Sequence, residues 1–236
     1  MDNELLVSCE HGGNRIPHAY LSLFDEWSAI LNSHRGHDPG ALTLARELGR
    51  RCHAPVIAST VSRLLIDLNR SLSNPDVWSD VTRGQPDAVR DSIVRRYYHP
   101  YRRRIKKRVS GAAVRDKRTI HISCHSFTPV LKDRVRNADI GILYDPSRPG
   151  EVAFAAQWKR ALEKINPQLR VRRNYPYQGK SDGLMTPLRQ CFSPEHYVGI
   201  ELEINQSRVL SDAEEWRALR GDIAATLEAL LTDFRP

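Results

Sequence analysis

Three predicted strands of this sequence carry or precede side chains that can transfer a proton or bind a metal. They are the runs 5–9, 119–127 and 198–206, which carry or precede His11, His125 and Glu203. Buried strands that deliver a side chain to the edge of a parallel sheet have this pattern, and Gly12 and Gly13 free the backbone after the first of them. Ligands bind at the carboxyl edge of open α/β sheets, so the three side chains are predicted to meet there. Taken alone, His11 could equally be a polar residue at a turn.

The predicted cluster fits a catalytic metal centre. Two histidines and a carboxylate are a usual catalytic zinc set, with the fourth position left for water. Such a metal polarises a carbonyl and lowers the pKa of a water molecule to about 7. A separate glutamate, here Glu203, can take the proton of that water and pass it to a leaving nitrogen. The spacing leaves Asp38, Glu10 and Asn14 open as candidates for the third ligand.

A second polar group lies in the segment 63–70. Polar and apolar residues alternate there, which predicts a strand with Arg63, Asp67 and Asn69 on one face. Together with Arg70 they could clamp a substrate carboxylate, because arginine binds carboxylates in a bidentate manner. A solvated edge strand is the alternative for this segment.

Asp38 has a structural alternative to metal binding. It directly precedes Pro39 and the apolar pattern of 41–52. Aspartate is a good helix cap and proline suits the first helical turn. The sequence alone does not decide between the cap and the ligand.

Strands and helices alternate along the chain. We predict a three-layer α/β sandwich with a central mixed, mostly parallel sheet, in a single domain spanning 1–236. The further strands are predicted at 55–60, 139–144 and 169–173, and the helices at 41–52, 87–109, 150–165 and from a cap at Ser211 to Phe234, with 17–31 partly helical. The segments 71–86 and 174–187 are predicted to be irregular loops, the first a flexible connection or lid.

The predicted helix 87–109 is strongly basic. Eight arginines and lysines lie between Arg95 and Arg108, and Pro100 should kink or divide the helix. Such a surface could lie on a phosphate backbone, or it could be a solvated face whose aliphatic stems cover the core. We favour the solvated face and consider nucleic acid an unlikely partner, because no known binding motif or interleaved aromatic residues accompany the charges.

Composition excludes several protein classes. The chain has 236 residues, 40% of them hydrophobic, which excludes global disorder, and no segment approaches the length of a membrane span. The formal net charge of +8 favours anionic partners. The four cysteines have no C-x-x-C spacing, which fits a reducing compartment, and the acidic start is unlike a signal peptide. We therefore expect a cytoplasmic protein without a membrane association.

Six short motifs in the same order resemble the N-formylglutamate amidohydrolase (deformylase) family. The resemblance covers nearly the whole chain, and the segment 63–70 is its closest match, to Arg-x-x-Ile-Asp-Leu-Asn-Arg. The other motifs are Ser8-Cys9-Glu10-His11-Gly12-Gly13-Asn14-Arg15-Ile16-Pro17, His37-Asp38-Pro39-Gly40-Ala41, Cys124-His125-Ser126, Asn174-x-x-Tyr177-x-Gly179 and Leu202-Glu203-Ile204-x-Gln206.

The resemblance implies a zinc-exopeptidase-like fold and a hydrolase that removes a formyl or other acyl group from an N-acylated amino acid in histidine degradation. It implies that His11, Asp38 and His125 hold Zn²⁺ or another divalent metal, and that Glu203 is the general base and acid. Substrate binding would fall to Arg63, Asn69, Arg70, Asn174 and Tyr177. Asn14 stands where carboxypeptidases have the glutamate of His-x-x-Glu. The second loop has fewer glycines than the family pattern, so the substrate could be another N-acyl amino acid or, for a hydrolase of the same fold, another amide or peptide.

Overall fold

The computed structural model describes residues 2–234 and centres on a six-stranded sheet. Eight strands occur in chain order: β1 (Asn3–Cys9), β2 (Val56–Ala58), β3 (Arg118–Phe127), β4 (Val130–Leu131), β5 (Arg134–Val135), β6 (Ile140–Leu143), β7 (Val171–Arg173) and β8 (Tyr197–Asn205). The sheet order is β2-β1-β3-β8-β6-β7, while β4 and β5 form a separate hairpin. Only the β6–β8 pair within the sheet is antiparallel. The prediction of a mixed, mostly parallel sheet is confirmed.

Helices cover both faces of the sheet. They are α1 (Ser28–Leu31), α2 (Ala41–Arg51), α3 (Asp80–Arg83), α4 (Asp87–Ile93), α5 (His99–Val114), α6 (Pro149–Ile165), α7 (Met185–Cys191), α8 (Gln206–Val209) and α9 (Ala213–Asp233), with 3-10 helices at His18–Phe24 and Pro75–Val77 and a π-helical turn at Val94–Tyr98. Apolar residues of α2, α6 and α9 form the core on one face, and those of α5, α7 and the segments 16–24 and 61–68 form the core on the other. The structure thus has the predicted three layers.

Three predictions about local structure were wrong. The last helix is capped by Asp212 and not by Ser211, since the Asp212 side chain accepts hydrogen bonds from the backbone N–H groups of Glu214 and Glu215. The segment 63–70 is built of turns and not of a strand, since the Asp67 carboxylate accepts a hydrogen bond from the backbone N–H of Asn69 (2.8 Å) and folds the chain back. The segments 71–86 and 174–187 are less irregular than predicted, because they contain α3, a 3-10 helix and the start of α7. Pro187 is tolerated in α7 because it lies in the first turn, where its missing N–H has no helical partner.

Helix 87–114 accommodates Pro100 through the π-helical turn that precedes it. A proline in a helix removes one hydrogen bond and crowds the carbonyl four residues earlier. The π turn ends at Tyr98, directly before α5, and Pro100 then occupies the first turn of α5. The prediction that Pro100 divides this helix corresponds in the structure to a π-helical turn between the α-helices α4 and α5. No helix within residues 2–234 is long and apolar enough to cross a lipid bilayer.

Candidate active site

The parallel strands β1, β3 and β8 bring the predicted side chains to one edge of the sheet. His11 follows β1, His125 lies near the end of β3, and Glu203 is paired in register with His125 on β8. The chain after β1 passes very close to the chain after β2, and a Cβ atom at Gly13 would lie 2.8 Å from the Thr60 carbonyl oxygen. The glycine pair is thus required for His11 to reach this edge.

His11, Asp38 and His125 form a buried group of possible metal ligands. One donor atom from each lies within 4.8 Å of the others. The Oδ2 atom of Asp38 is 2.9 Å from Nδ1 of His125 and 3.4 Å from Nδ1 of His11. All three side chains are at most 4% exposed. Two imidazole nitrogens and one carboxylate oxygen that converge in this way fit a divalent metal such as zinc.

The outer nitrogen of each histidine faces a buried carboxylate. Nε2 of His11 lies 2.8 Å from Asp67, and Nε2 of His125 lies 3.0 Å from Glu10. Such carboxylates accept the proton of the outer nitrogen, which leaves the inner nitrogen free as a ligand. The arrangement therefore fixes both rings with Nδ1 toward Asp38.

Of the three candidates for the third ligand, the structure brings Asp38 to both histidines. Glu10 lies behind His125, where it also accepts hydrogen bonds from Tyr101 (2.7 Å) and Ser123. Asn14 donates to Asn32 (2.8 Å), away from the histidines. The alternative role of Asp38 as a helix cap is not observed, because the N-cap of α2 is Gly40 and no side chain caps it.

The buried carboxylates around the histidines are held in their ionised form. Burial alone would raise the pKa of Asp38, but contacts with His11, His125 and Arg63 outweigh it and hold that pKa well below the usual range. Burial likewise opposes ionisation of Asp67, whose pKa is lowered by Arg63 and His11. An ionised carboxylate is the form that binds a metal.

Glu203 has a different environment. It is 5% exposed, and its Oε2 atom has no hydrogen-bond partner within residues 2–234. Burial raises its pKa to about 7, and the nearby carboxylates of Asp38 and Glu201 add to the effect. A group with such a pKa can accept and return a proton near neutral pH.

A cavity of about 190 Å³ lies in front of these groups. It is lined by nearly all of the predicted site residues, namely His11, Asp38, Arg63, Asn69, Arg70, His125, Tyr177 and Glu203. Ser126, Leu143, Gln178, Ser181, Asp182 and Glu201 complete the lining. The residues drawn from six separate motifs therefore face one space.

Asn174 is the predicted substrate residue that does not line this cavity. Its Oδ1 atom accepts hydrogen bonds from the backbone N–H groups of Tyr144 (3.0 Å) and Gly179 (3.1 Å). This geometry shapes the loop that carries Tyr177 into the cavity.

Sequence reasoning missed the supporting residues Glu10 and Asp67 as partners of the histidines. Each is separated in sequence from the histidine that it contacts, by 115 residues for Glu10 and 56 for Asp67. The available signal was that each sits inside a motif, directly beside or close to a predicted site residue.

Comparisons with known proteins show the family and the fold to which this chain is similar. A family model described as N-formylglutamate amidohydrolase matches residues 3–210. The crystal structure of a gene product from Agrobacterium tumefaciens is similar to this chain at 29% sequence identity, with a TM-score of 0.79, covering 97% of this chain and 89% of the other.

A structure of N-formylglutamate amidohydrolase from Ralstonia eutropha JMP134 has the same fold at 20% identity, with a TM-score of 0.73, covering 98% of this chain and 93% of the other. Comparison with curated protein sequences finds no significant match. The family model spans nearly the whole length and includes every residue that lines the cavity, and the chain belongs to the N-formylglutamate amidohydrolase family.

Proposed function

We propose that this protein is a metal-dependent amidohydrolase that removes a formyl or other acyl group from an N-acylated amino acid such as N-formylglutamate. The observation that carries the proposal is the convergence of His11, Asp38 and His125 beside Glu203 in one cavity. Family membership supports hydrolysis of an amide bond.

In this proposal His11, Asp38 and His125 hold Zn²⁺ or another divalent metal. The metal, when bound, would polarise the substrate carbonyl and lower the pKa of a water molecule. The other ring nitrogens of the two histidines donate to Asp67 and Glu10 and so keep the ligand nitrogens oriented.

Glu203 moves the proton in this scheme. It takes a proton from the water whose oxygen bonds to the acyl carbon, and it returns that proton to the amine nitrogen as the C–N bond breaks. The products are a carboxylate, formate for a formyl group, and a free amino acid. The buried position and raised pKa of Glu203 support this role.

The substrate carboxylate is assigned to Asn69 and Arg70, with Arg63, Tyr177 and the Asn174 loop completing the binding site. Both Asn69 and Arg70 line the cavity. We also propose that the chain is one domain, as the alternation of strands and helices indicates, and that it acts in the cytoplasm on a small molecule, as the cysteine spacing indicates. A contribution to histidine degradation rests on the family resemblance alone and applies to N-formylglutamate as the substrate.

The direct test is an assay of formate release from N-formyl amino acids, with the purified protein supplied with zinc. We expect turnover that is lost after treatment with a chelator and restored by added zinc. Turnover that persists after complete removal of metal would contradict the metal-dependent mechanism, and the absence of any turnover across N-formyl and N-acetyl amino acids would contradict the proposed reaction.

A further inference from the structure

The charged side chains that line the cavity limit which N-acylated amino acid can bind there. N-formylglutamate has two carboxylates, and each needs a cation or several donors when it leaves water. In the described part of the chain the cavity has two guanidinium groups, those of Arg63 and Arg70, and no lysine. The availability of these two groups therefore limits what can bind.

Arg63 is already neutralised by the protein. Its Nε and Nη2 atoms donate to Asp67 (3.2 and 2.7 Å), and its Nη1 atom donates to Asp38 (3.3 Å). Asp67 in turn contacts His11 (2.8 Å), so Arg63 is part of the support for the metal-ligand group. Its charge is balanced by two buried aspartates before any substrate enters.

Arg70 is the guanidinium that remains for a substrate carboxylate. Its Nη1 atom donates to the backbone carbonyl of Asp182 (2.7 Å), and it forms no ion pair within 4 Å inside residues 2–234. Arg136 is not among the residues that line the cavity; it donates a hydrogen bond to the Tyr177 hydroxyl (3.0 Å), and its guanidinium lies over the Tyr177 ring. The cavity thus provides one arginine for one carboxylate.

Glu201, like Glu203, is a lining carboxylate that forms no ion pair within residues 2–234. It is 9% exposed, and its one side-chain contact is a long one of 3.5 Å from Nδ2 of Asn69. By contrast, the Asp182 carboxylate accepts hydrogen bonds from the backbone N–H of Ser71 (3.0 Å) and from Asn74 (2.8 Å). Within residues 2–234 no cationic side chain forms an ion pair with Glu201. Arg189, which acts on Glu201 electrostatically, is itself paired with Glu151 (2.9 Å), so Glu201 presents a largely buried carboxylate to the cavity.

The position of Glu201 separates it from the reacting centre. It lies two residues before Glu203 on β8 and so shares its face of the sheet, about 6.6 Å away along the strand. Gly183 clears the space beside it, since a Cβ atom there would lie 3.1 Å from Oδ1 of Asn69 and 3.6 Å from Oε1 of Glu201. A substrate side chain that extends past Asn69 would meet this carboxylate.

We infer that Glu201 selects the substrate side chain, and that the substrate is an N-acylated amino acid with one carboxylate and a positively charged side chain. Its α-carboxylate lies on Arg70 and Asn69, and its ammonium or guanidinium group lies on Glu201. The γ-carboxylate of N-formylglutamate would instead face Glu201, with no second free arginine to receive it. This inference rests on the proposed amidohydrolase function and specifies its substrate.

The test compares three N-formyl amino acids of similar length: N-formyl-L-lysine, N-formyl-L-norleucine, which lacks the charge, and N-formyl-L-glutamate. We expect kcat/KM for the lysine derivative to exceed that for norleucine by roughly 10- to 100-fold, the range of one charge-assisted hydrogen bond. The glutamate derivative should be the poorest of the three. A preference for glutamate, or equal rates for lysine and norleucine, would overturn the inference while leaving the amidohydrolase function intact.

Glu201→Gln tests the residue itself, because it removes the charge and keeps the shape. We expect the ratio of kcat/KM for the lysine derivative to kcat/KM for the norleucine derivative to fall to about one. The value for the norleucine derivative itself should change less than the value for the lysine derivative. The control Glu26→Gln removes an exposed carboxylate far from the cavity lining and should leave the ratio unchanged. An unchanged ratio in Glu201→Gln would contradict the assignment. If that variant does not fold, competitive inhibition of the parent by free lysine and by norleucine decides the same point: lysine must inhibit more strongly.

Discussion

His11 and His125 at the sheet edge are oriented by the same arrangement of carboxylates. In each ring Nε2 faces a buried carboxylate and Nδ1 faces Asp38. A neutral histidine whose outer nitrogen donates a proton presents a lone pair on its inner nitrogen, which is the form that ligates a metal. The site is thus specified by residues behind the ligands as much as by the ligands themselves.

Glu203→Gln should abolish turnover and leave metal binding intact. The amide cannot accept a proton from water, and general base catalysis contributes roughly 100- to 10,000-fold to a rate. We expect kcat to fall by that factor in the formate-release assay, while zinc content measured by mass spectrometry stays at the parental level. Parental kcat in this variant would remove Glu203 from the mechanism.

Asp67→Asn should weaken metal binding without touching a metal ligand. It replaces the negative charge that faces Nε2 of His11 and that pairs with Arg63. Loss of such an outer partner costs about 10- to 100-fold in metal affinity, which a competition titration with a zinc-binding dye would measure. Asp139→Asn is the matched control, since Asp139 is also a buried aspartate paired with arginines but lies outside the cavity. Equal zinc affinity in the two variants would contradict the role of Asp67.

At the scale of residues, the sequence predicted which side chains lie together at the sheet edge but not which contacts hold them in place. His11, His125 and Glu203 could be predicted to lie near one another because each lies near the end of a predicted strand or directly after it. The contacts of Glu10 with His125 and of Asp67 with His11 depend on how distant segments pack, which no local pattern contains. From spacing alone Asp38, Glu10 and Asn14 stayed open as the third ligand. The family resemblance favoured Asp38, and the structure brings Asp38 to both histidines.

At the scale of elements, hydrophobic runs identified the sheet because parallel central strands are buried on both faces. All ten residues of β3 and all nine of β8 are buried. The prediction failed at 63–70, where alternation also resembles a strand but a side-chain hydrogen bond within the segment makes turns. Period-two alternation does not distinguish a strand from a turn that places its polar groups on one side.

The C-terminal end of β8 contacts the buried residue Asp139, which directly precedes the neighbouring strand β6; the backbone N–H of Asn205 donates to the Asp139 carbonyl (2.9 Å). Asp139 is 1% exposed and accepts hydrogen bonds from the backbone N–H of Arg170 (2.8 Å) and from the side chains of Arg170 and Arg208. Burial opposes ionisation, but these hydrogen bonds outweigh it and lower the pKa of Asp139. The ionised carboxylate therefore stabilises this corner of the fold.

Asp139→Asn should lower the free energy of unfolding by about 2 kcal/mol at pH 7, the scale of hydrogen bonds to a charged group. Since the pKa in the folded state is lower than in the unfolded chain, the contribution is complete above about pH 4 and is lost as the pH falls through the folded value. Urea unfolding of parent and variant should give equal differences at pH 7 and pH 5 and a smaller one below pH 4. The exposed Asp91→Asn is the control, and a difference that grows on acidification would contradict the account.

At the scale of the whole molecule, the positive charge is concentrated on one helix. The eight arginines and lysines between Arg95 and Arg108 equal the formal net charge of +8, so the rest of the sequence is electrically balanced. Seven of the eight are exposed, and Arg102 is half-buried with its side chain on the carbonyls of Leu68 and Arg70. This surface lies on the solvent side of α5 and supports the interpretation of a solvated face.

Nucleic acid remains an unlikely partner in this account, and the basic helix makes that testable. We expect only weak binding of a labelled DNA duplex at physiological salt, with Kd no tighter than about 1 µM, as for phosphate contacts without base recognition. Arg103→Glu with Lys107→Glu should abolish even this binding, and the matched pair Arg46→Glu with Arg50→Glu on α2 should not. Tight binding that is independent of metal would favour the alternative function.

The measurement that tests the central claim most directly is metal content, determined by mass spectrometry on protein purified without an affinity tag. We predict about one zinc or other divalent ion per chain in the parent and none in a His11→Ala/His125→Ala variant. The control His18→Ala/His99→Ala replaces two exposed histidines and should keep the metal. A parent that binds no metal even when zinc is supplied, or a His11→Ala/His125→Ala variant that retains it, would contradict the metal centre on which the proposed function depends.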